Sequence, residues 1–78
     1  MTYEGWTNYA TWNVFLWVTN EHPLYMLARR AARAGRSWRE FAASLIEDGL
    51  LETSDGIALD DPTLDLEELD EALRQLVE

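Results

Sequence analysis

No cysteine and no lysine occurs in the 78 residues, and proline appears only twice. Without cysteine, neither a disulfide framework nor a thiolate metal site can stabilise so short a chain. Without lysine, all positive charge rests on six arginines, set against fifteen Asp and Glu, for a formal net charge of −9. That balance argues against ordinary binding to DNA, RNA or anionic membrane, because neutralising phosphate requires a basic surface. It favours a basic partner, or serves solubility alone. There is also no run of about 20 predominantly apolar residues, the length a membrane-spanning helix needs. The opening Met1–Gly5 lacks the basic and apolar regions of a secretory leader, so a cytoplasmic location is expected.

Catalytic equipment is equally sparse. The single histidine, His22, sits beside Pro23 and reads as a surface or capping residue, not a base. No Cys–His or Ser–His–Asp set can be assembled, and no Gly-rich phosphate loop occurs. Asp60, Asp61, Asp65 and Glu67 have the density of a calcium loop but not its Asp-x-Asp-x-Asp-Gly order, and Pro62 interrupts them. No enzyme activity, cofactor or metal is therefore expected.

What the chain does have is aromatic bulk, concentrated near the start. Gly5–Asn20 carries Trp6, Trp12 and Trp17, three of the four tryptophans, with Tyr9, Val14, Phe15, Leu16 and Val18 between them and no charge. Read as a helix from about Asn8 to Thr19 with Thr7 as N-cap, it is apolar nearly all the way round. A helix of that kind is expected to be a buried, central one. Large aromatics partly make up for the small core a chain of this length can form.

The remainder reads as three further short helices in a single domain, residues 1–78. The second runs from about His22 to Ala34, with Pro23 in its first turn, an apolar stripe of Leu24, Leu27, Ala28 and Ala31, and Gly35 as its stop. Ser37-Trp-Arg-Glu40 is a capping-box pattern that starts a third helix, which ends near Asp48 before Gly49. Its apolar face is Trp38, Phe41, Ala42, Leu45 and Ile46. Residues 50–64 lose the helical rhythm, with turn chemistry at Ser54-Asp55-Gly56 and a breaker at Asp61-Pro62. Asp65-Leu-Glu-Glu68 is a second capping box, opening a last helix to about Val77 that buries Leu66, Leu69, Leu73, Leu76 and Val77. The fold class is all-α, four short helices around the aromatic first one, with Ile57-Ala58-Leu59 as the only candidate β element.

Charge is segregated along this plan. Arg29, Arg30, Arg33, Arg36 and Arg39 fall in one acid-free stretch, whereas thirteen acids and a single base follow from Glu40 onward. The arginines read either as a solvated face that neutralises the acidic half or as a contact for an acidic group. Asp60, Asp61, Asp65, Glu67, Glu68, Asp70 and Glu71 place seven carboxylates in twelve residues. Side chains three or four apart on a helix lie about 5–6 Å apart, a spacing comparable to successive phosphates along one DNA strand. Such rows can imitate a nucleic-acid backbone, with Glu47, Asp48 and Glu52 as an extension. The plainer reading is a solvated acidic face that keeps a tryptophan-rich domain soluble.

The opening stretch also resembles a family of small proteins encoded by bacteriophages and other mobile elements. Their pattern is Gly-Trp/Tyr-x-Asn-Tyr-x-Thr-Trp-x-Val-x-Leu-Trp followed by a polar turn. Here it is carried by Gly5, Trp6, Asn8, Tyr9, Thr11, Trp12, Val14, Leu16 and Trp17, then Asn20-Glu21. The likeness continues more loosely through Ser37–Ala42 and the acidic last helix, while Ala10 stands where an acid is usual. Because Tyr9, Trp12 and Leu16 share one helix face, packing is expected to account for the motif. The resemblance implies a phage-type inhibitor of a bacterial defence system, anti-CRISPR ahead of anti-restriction. As an acidic DNA mimic in the host cytoplasm, monomeric or homodimeric, it would block a basic nucleic-acid groove without binding nucleic acid itself. The alternative is a structural or regulatory adaptor that binds a protein through exposed aromatics, for which Trp6, Trp17 and Trp38 are the candidates.

Overall fold

The computed structural model describes residues 2–78 and shows four helices: α1 (Tyr9–Asn20), α2 (His22–Arg33), α3 (Trp38–Glu47) and α4 (Leu66–Gln75). α1 packs on α2, and α4 packs on both α2 and α3, within extents of 32 × 28 × 20 Å. No helix among the described residues is long and apolar enough to cross a membrane.

Each boundary has a local cause. Ser37 accepts the Glu40 N–H while the Glu40 carboxylate accepts the Ser37 N–H, so the expected capping box at α3 is complete. Gly35 and Gly49 follow α2 and α3 at φ of 74° and 90°, in the left-handed region that stops a helix where side chains are disfavoured. Pro23 sits in the first turn of α2, where no intrahelical N–H is lost. Two capping expectations need correction. The α1 N-cap is Asn8, whose Oδ1 accepts the Thr11 N–H at 2.9 Å, and not Thr7. The α4 box is only half made: Asp65 accepts from the Glu68 N–H, but the Glu68 carboxylate turns away to the Thr7 N–H.

The core lies where all four helices meet, on Val14, Val18, Ala28, Trp38, Leu69 and Leu73, each buried. Full burial of a leucine such as Leu69 stabilises by about 2 kcal/mol relative to exposure. Trp38 is the large residue at this centre, with Phe15 tilted against it and Phe41 edge-on to it at centroid distances of 5.9 and 5.4 Å. Alanines 28 and 31 on α2 are buried, which lets α2 come close to the bulky elements around it.

α1 is not the fully buried rod its composition suggests. Ala10, Thr11, Asn13, Val14 and Val18 are its buried residues, while Tyr9 is exposed and Trp12 and Leu16 lie half-buried outside the core. Three polar residues on the inner side explain how the irregular segment 50–64 is held. Thr53 Oγ1 donates to Asn13 Oδ1 at 2.7 Å, and Asn13 Nδ2 donates to Asp55 Oδ2 at 2.7 Å. Asn8 Nδ2 donates to the Thr63 carbonyl at 2.7 Å, and the Asp65 N–H donates to Thr11 Oγ1 at 3.0 Å. Buried polar atoms must find partners, and these find theirs in a loop that has no secondary structure of its own. Its one sheet-like feature is a single antiparallel bridge, Glu52 to Ala58.

Candidate functional site

The ten acids singled out in the sequence divide into two groups once their partners are known. Asp61 closes an Asx turn, accepting from the Thr63 N–H at 2.8 Å and from the Thr63 hydroxyl. Asp65 caps α4 and also accepts from Thr7 Oγ1 at 2.7 Å. Glu68 accepts the Thr7 N–H at 2.9 Å, and Asp70 accepts the Trp38 N–H at 2.7 Å. Glu71 pairs with Arg74 at 2.6 Å, the one ion pair among the described residues. Asp65 and Glu68 therefore join α4 to the start of α1 and Asp70 joins it to the start of α3, while Asp61 and Glu71 are engaged within their own segments. Asp60, Glu67, Glu47, Asp48 and Glu52 are the exposed group, with no ion pair and no side-chain hydrogen bond among the described residues.

The hydrogen bonds also set ionisation. The Thr63 hydroxyl and then the Thr63 N–H hold Asp61 below the usual carboxylate range. Thr7 and then the Glu68 N–H do the same for Asp65. Glu71 is lowered first by its hydrogen bond to Arg74, whose own pKa rises in return. Hydrogen bonds that favour the charged form keep these groups ionised to lower pH.

An uninterrupted acidic row along α4 is not what the helix presents. Glu67, Glu71 and Arg74 recur at spacings of four and three, so the ion pair lies within the outward row. The arginine stretch does not neutralise the tail by direct pairing either. Arg39 lines a groove with Asp60 and Asp61, and Arg30 and Arg36 line another with Asp48, but none of these arginines forms an ion pair. Arg29 instead lies 5.8 Å over the Tyr25 ring, with its buried Nε unpartnered.

A second surface, which charge patterning alone does not reveal, is built at the N-terminus. Glu4 and Gly5 have φ of 51° and 85°, and Tyr3 and Trp6 exchange two backbone hydrogen bonds of 2.7 Å across them. Two consecutive positive φ values are those of a tight hairpin turn. The turn folds Tyr3 back over α1. Tyr3 meets Tyr9 edge-on at 5.2 Å and Trp12 at 4.9 Å, and Tyr9 lies 5.7 Å from Trp12. Tyr3 and Tyr9 stay 39% and 40% exposed, although aromatic rings bury the most apolar area of any side chain. Of the tryptophans expected to signal an adaptor, Trp38 is buried and Trp6 and Trp17 are packed against the core. The exposed aromatic surface is thus Tyr3 and Tyr9, with the half-buried Trp12 packed against both. The signal that could have found it is the Glu4-Gly5 turn placed five residues before Tyr9 and Ala10, where a strand-like reversal returns the chain onto the helix.

The motif that carries the resemblance, from Gly5 to Trp17, therefore does three jobs: it turns the chain, anchors the loop and supplies the rings. A family of unknown function, DUF7249, matches residues 1–78. The chain belongs to that family. No curated protein and no solved structure matches it.

Proposed function

We propose that this DUF7249 member is a phage-type inhibitor of a bacterial defence complex, a CRISPR surveillance complex ahead of a restriction enzyme. It works in the host cytoplasm as an acidic decoy that occupies a basic nucleic-acid groove. The observation that carries the reading is the near absence of internal compensation: a net charge of −9 with one ion pair among the described residues. A surface of that kind attracts a groove rich in arginine and lysine, speeds association and suppresses wrong partners. Of the ten acids singled out in the sequence, the carboxylates available to a partner are Asp60, Glu67, Glu47, Asp48 and Glu52. Asp61, Asp65, Glu68 and Asp70 support the decoy differently, by holding the acidic segment rigid through their own hydrogen bonds.

The test uses a purified surveillance complex and its target DNA. The protein should displace DNA, more weakly as salt rises, and Glu47→Gln, Asp48→Asn, Glu52→Gln, Asp60→Asn and Glu67→Gln together should abolish displacement without unfolding the chain. Undiminished inhibition by that variant would refute the decoy. The exposed Tyr3 and Tyr9, with the half-buried Trp12 beside them, support a second reading, an adaptor that binds a protein through aromatic contacts. Binding that persists unchanged at high salt would favour it.

A further inference from the structure

The three rings at the N-terminus have a charge setting that narrows what can lie on them. Asn13 Nδ2 donates both to the Tyr9 hydroxyl at 3.3 Å and to Asp55 Oδ2 at 2.7 Å, so one buried amide fixes a ring edge and a carboxylate side by side. Glu4 stands next to Tyr3 in the turn, in a left-handed conformation that a side chain adopts at a conformational cost. No arginine or lysine occurs before Arg29, and Asp55 forms no ion pair among the described residues. The rings pack against one another at centroid distances of 4.9–5.7 Å, with Tyr3 and Tyr9 partly open to solvent.

We infer that Tyr3, Tyr9 and Trp12, flanked by Asp55 and Glu4, form a platform that takes an arginine side chain from a basic partner protein. A guanidinium is planar, weakly hydrated and stacks on an aromatic face, and its remaining N–H groups reach a carboxylate at the ring edge. A lysine ammonium satisfies the charge but not the stacking. A nucleobase would satisfy the stacking, but its phosphates meet a surface of the wrong sign. The chain already makes this contact with itself, where Arg29 lies over Tyr25. The inference deepens the decoy reading by naming the side chain the partner offers, and it rests on that reading only for the partner's basic character.

The experiment is an NMR titration of the full chain with a Gly-spaced arginine peptide, its lysine counterpart and a neutral proline-rich peptide. The arginine peptide should move the ring resonances of Tyr3, Tyr9 and Trp12 and bind more tightly than the lysine peptide. Tyr9→Leu and Trp12→Leu should each weaken it by about fivefold. Asp55→Asn, which keeps the Asn13 hydrogen bond and removes the charge, should weaken it too, and it guards against a ring variant that fails to fold. Equal binding of arginine and lysine peptides, with shifts confined to Glu47, Asp48, Glu52, Asp60 and Glu67, would overturn the platform and leave the decoy standing. Preference for the proline-rich peptide would overturn it as well. So would a dimer in light scattering whose contacts move the same three rings, since the occupant would then be a second copy. Platform binding by a chain that fails to displace DNA from the surveillance complex would sink the decoy alone.

Discussion

Thr53 Oγ1 donates to Asn13 Oδ1 at 2.7 Å, joining the middle of α1 to a loop forty residues away, and both residues are buried. The same hydroxyl accepts from the Ile57 and Asp55 N–H groups at 3.2 and 3.3 Å, so one side-chain pair organises the whole turn. Asn13→Ala leaves the buried Thr53 hydroxyl without its acceptor and Asp55 without the amide that donates to it. The substitution should destabilise by about 2 kcal/mol. In a chain of this size the thermal midpoint should fall by roughly 10 °C, read by circular dichroism. Hydrogen exchange at 53–57 should accelerate more than at α3.

Leu69 is fully buried at the meeting of the helices. Leu69→Ala removes its packing and leaves a cavity, and should cost about 3 kcal/mol. A small domain with no disulfide has little stability in reserve, so urea denaturation should show a midpoint shifted far toward zero. A midpoint close to wild type would show that the helices meet elsewhere.

Glu4 occupies a left-handed position that asparagine and glycine adopt more readily. Glu4→Asn should therefore stabilise the fold, by about 0.5–1 kcal/mol, with a higher thermal midpoint. The same variant should weaken the arginine peptide, because it removes one of the two acids beside the rings. A gain in stability together with a loss of binding would mark the strain as belonging to the surface and not to folding.

Stability should also follow pH on the acid side. Asp61 and Asp65 have folded pKa values below their ordinary ones because Thr63, Thr7 and the Glu68 N–H favour the charged carboxylates. Glu40 is lowered likewise, chiefly by the Ser37 N–H. For a lowered carboxylate, the stabilising contribution is complete above the unfolded-state pKa of about 4 and is lost as pH falls through the folded value. Urea midpoints should be level from pH 7 to about 5 and drop below about 4. Asp65→Asn should flatten part of that drop while lowering the midpoint at neutral pH.

Local signals were enough for the helices and most of their ends. Ser37 with Glu40, Asp65 before Leu66, Pro23 and the two stopping glycines act over three or four residues, and the structure uses each of them. The apolar stripes of α3 and α4 are equally local, and Trp38, Phe41, Leu45, Leu69 and Leu73 are buried. Leu66, expected on the buried face, is exposed in the first turn of α4, and Leu76 and Val77 are half-buried at its end. The inward side of α1 was not legible, because a segment apolar all round carries no amphipathic contrast. Its direction was decided by Thr11 and Asn13, whose partners lie in another part of the chain.

The acids show the same division. Composition alone determined that the protein is strongly negative and that no lysine or cysteine shapes its surface. Only the tertiary structure decided which carboxylates stay free. Asp70 is occupied because the Trp38 N–H at the start of α3 arrives beside it, and Glu68 because the Thr7 N–H does. A carboxylate's charge is a property of its own atoms. Whether that charge is offered to a partner depends on a donor brought from 32 or 61 residues away, and only folding brings it there.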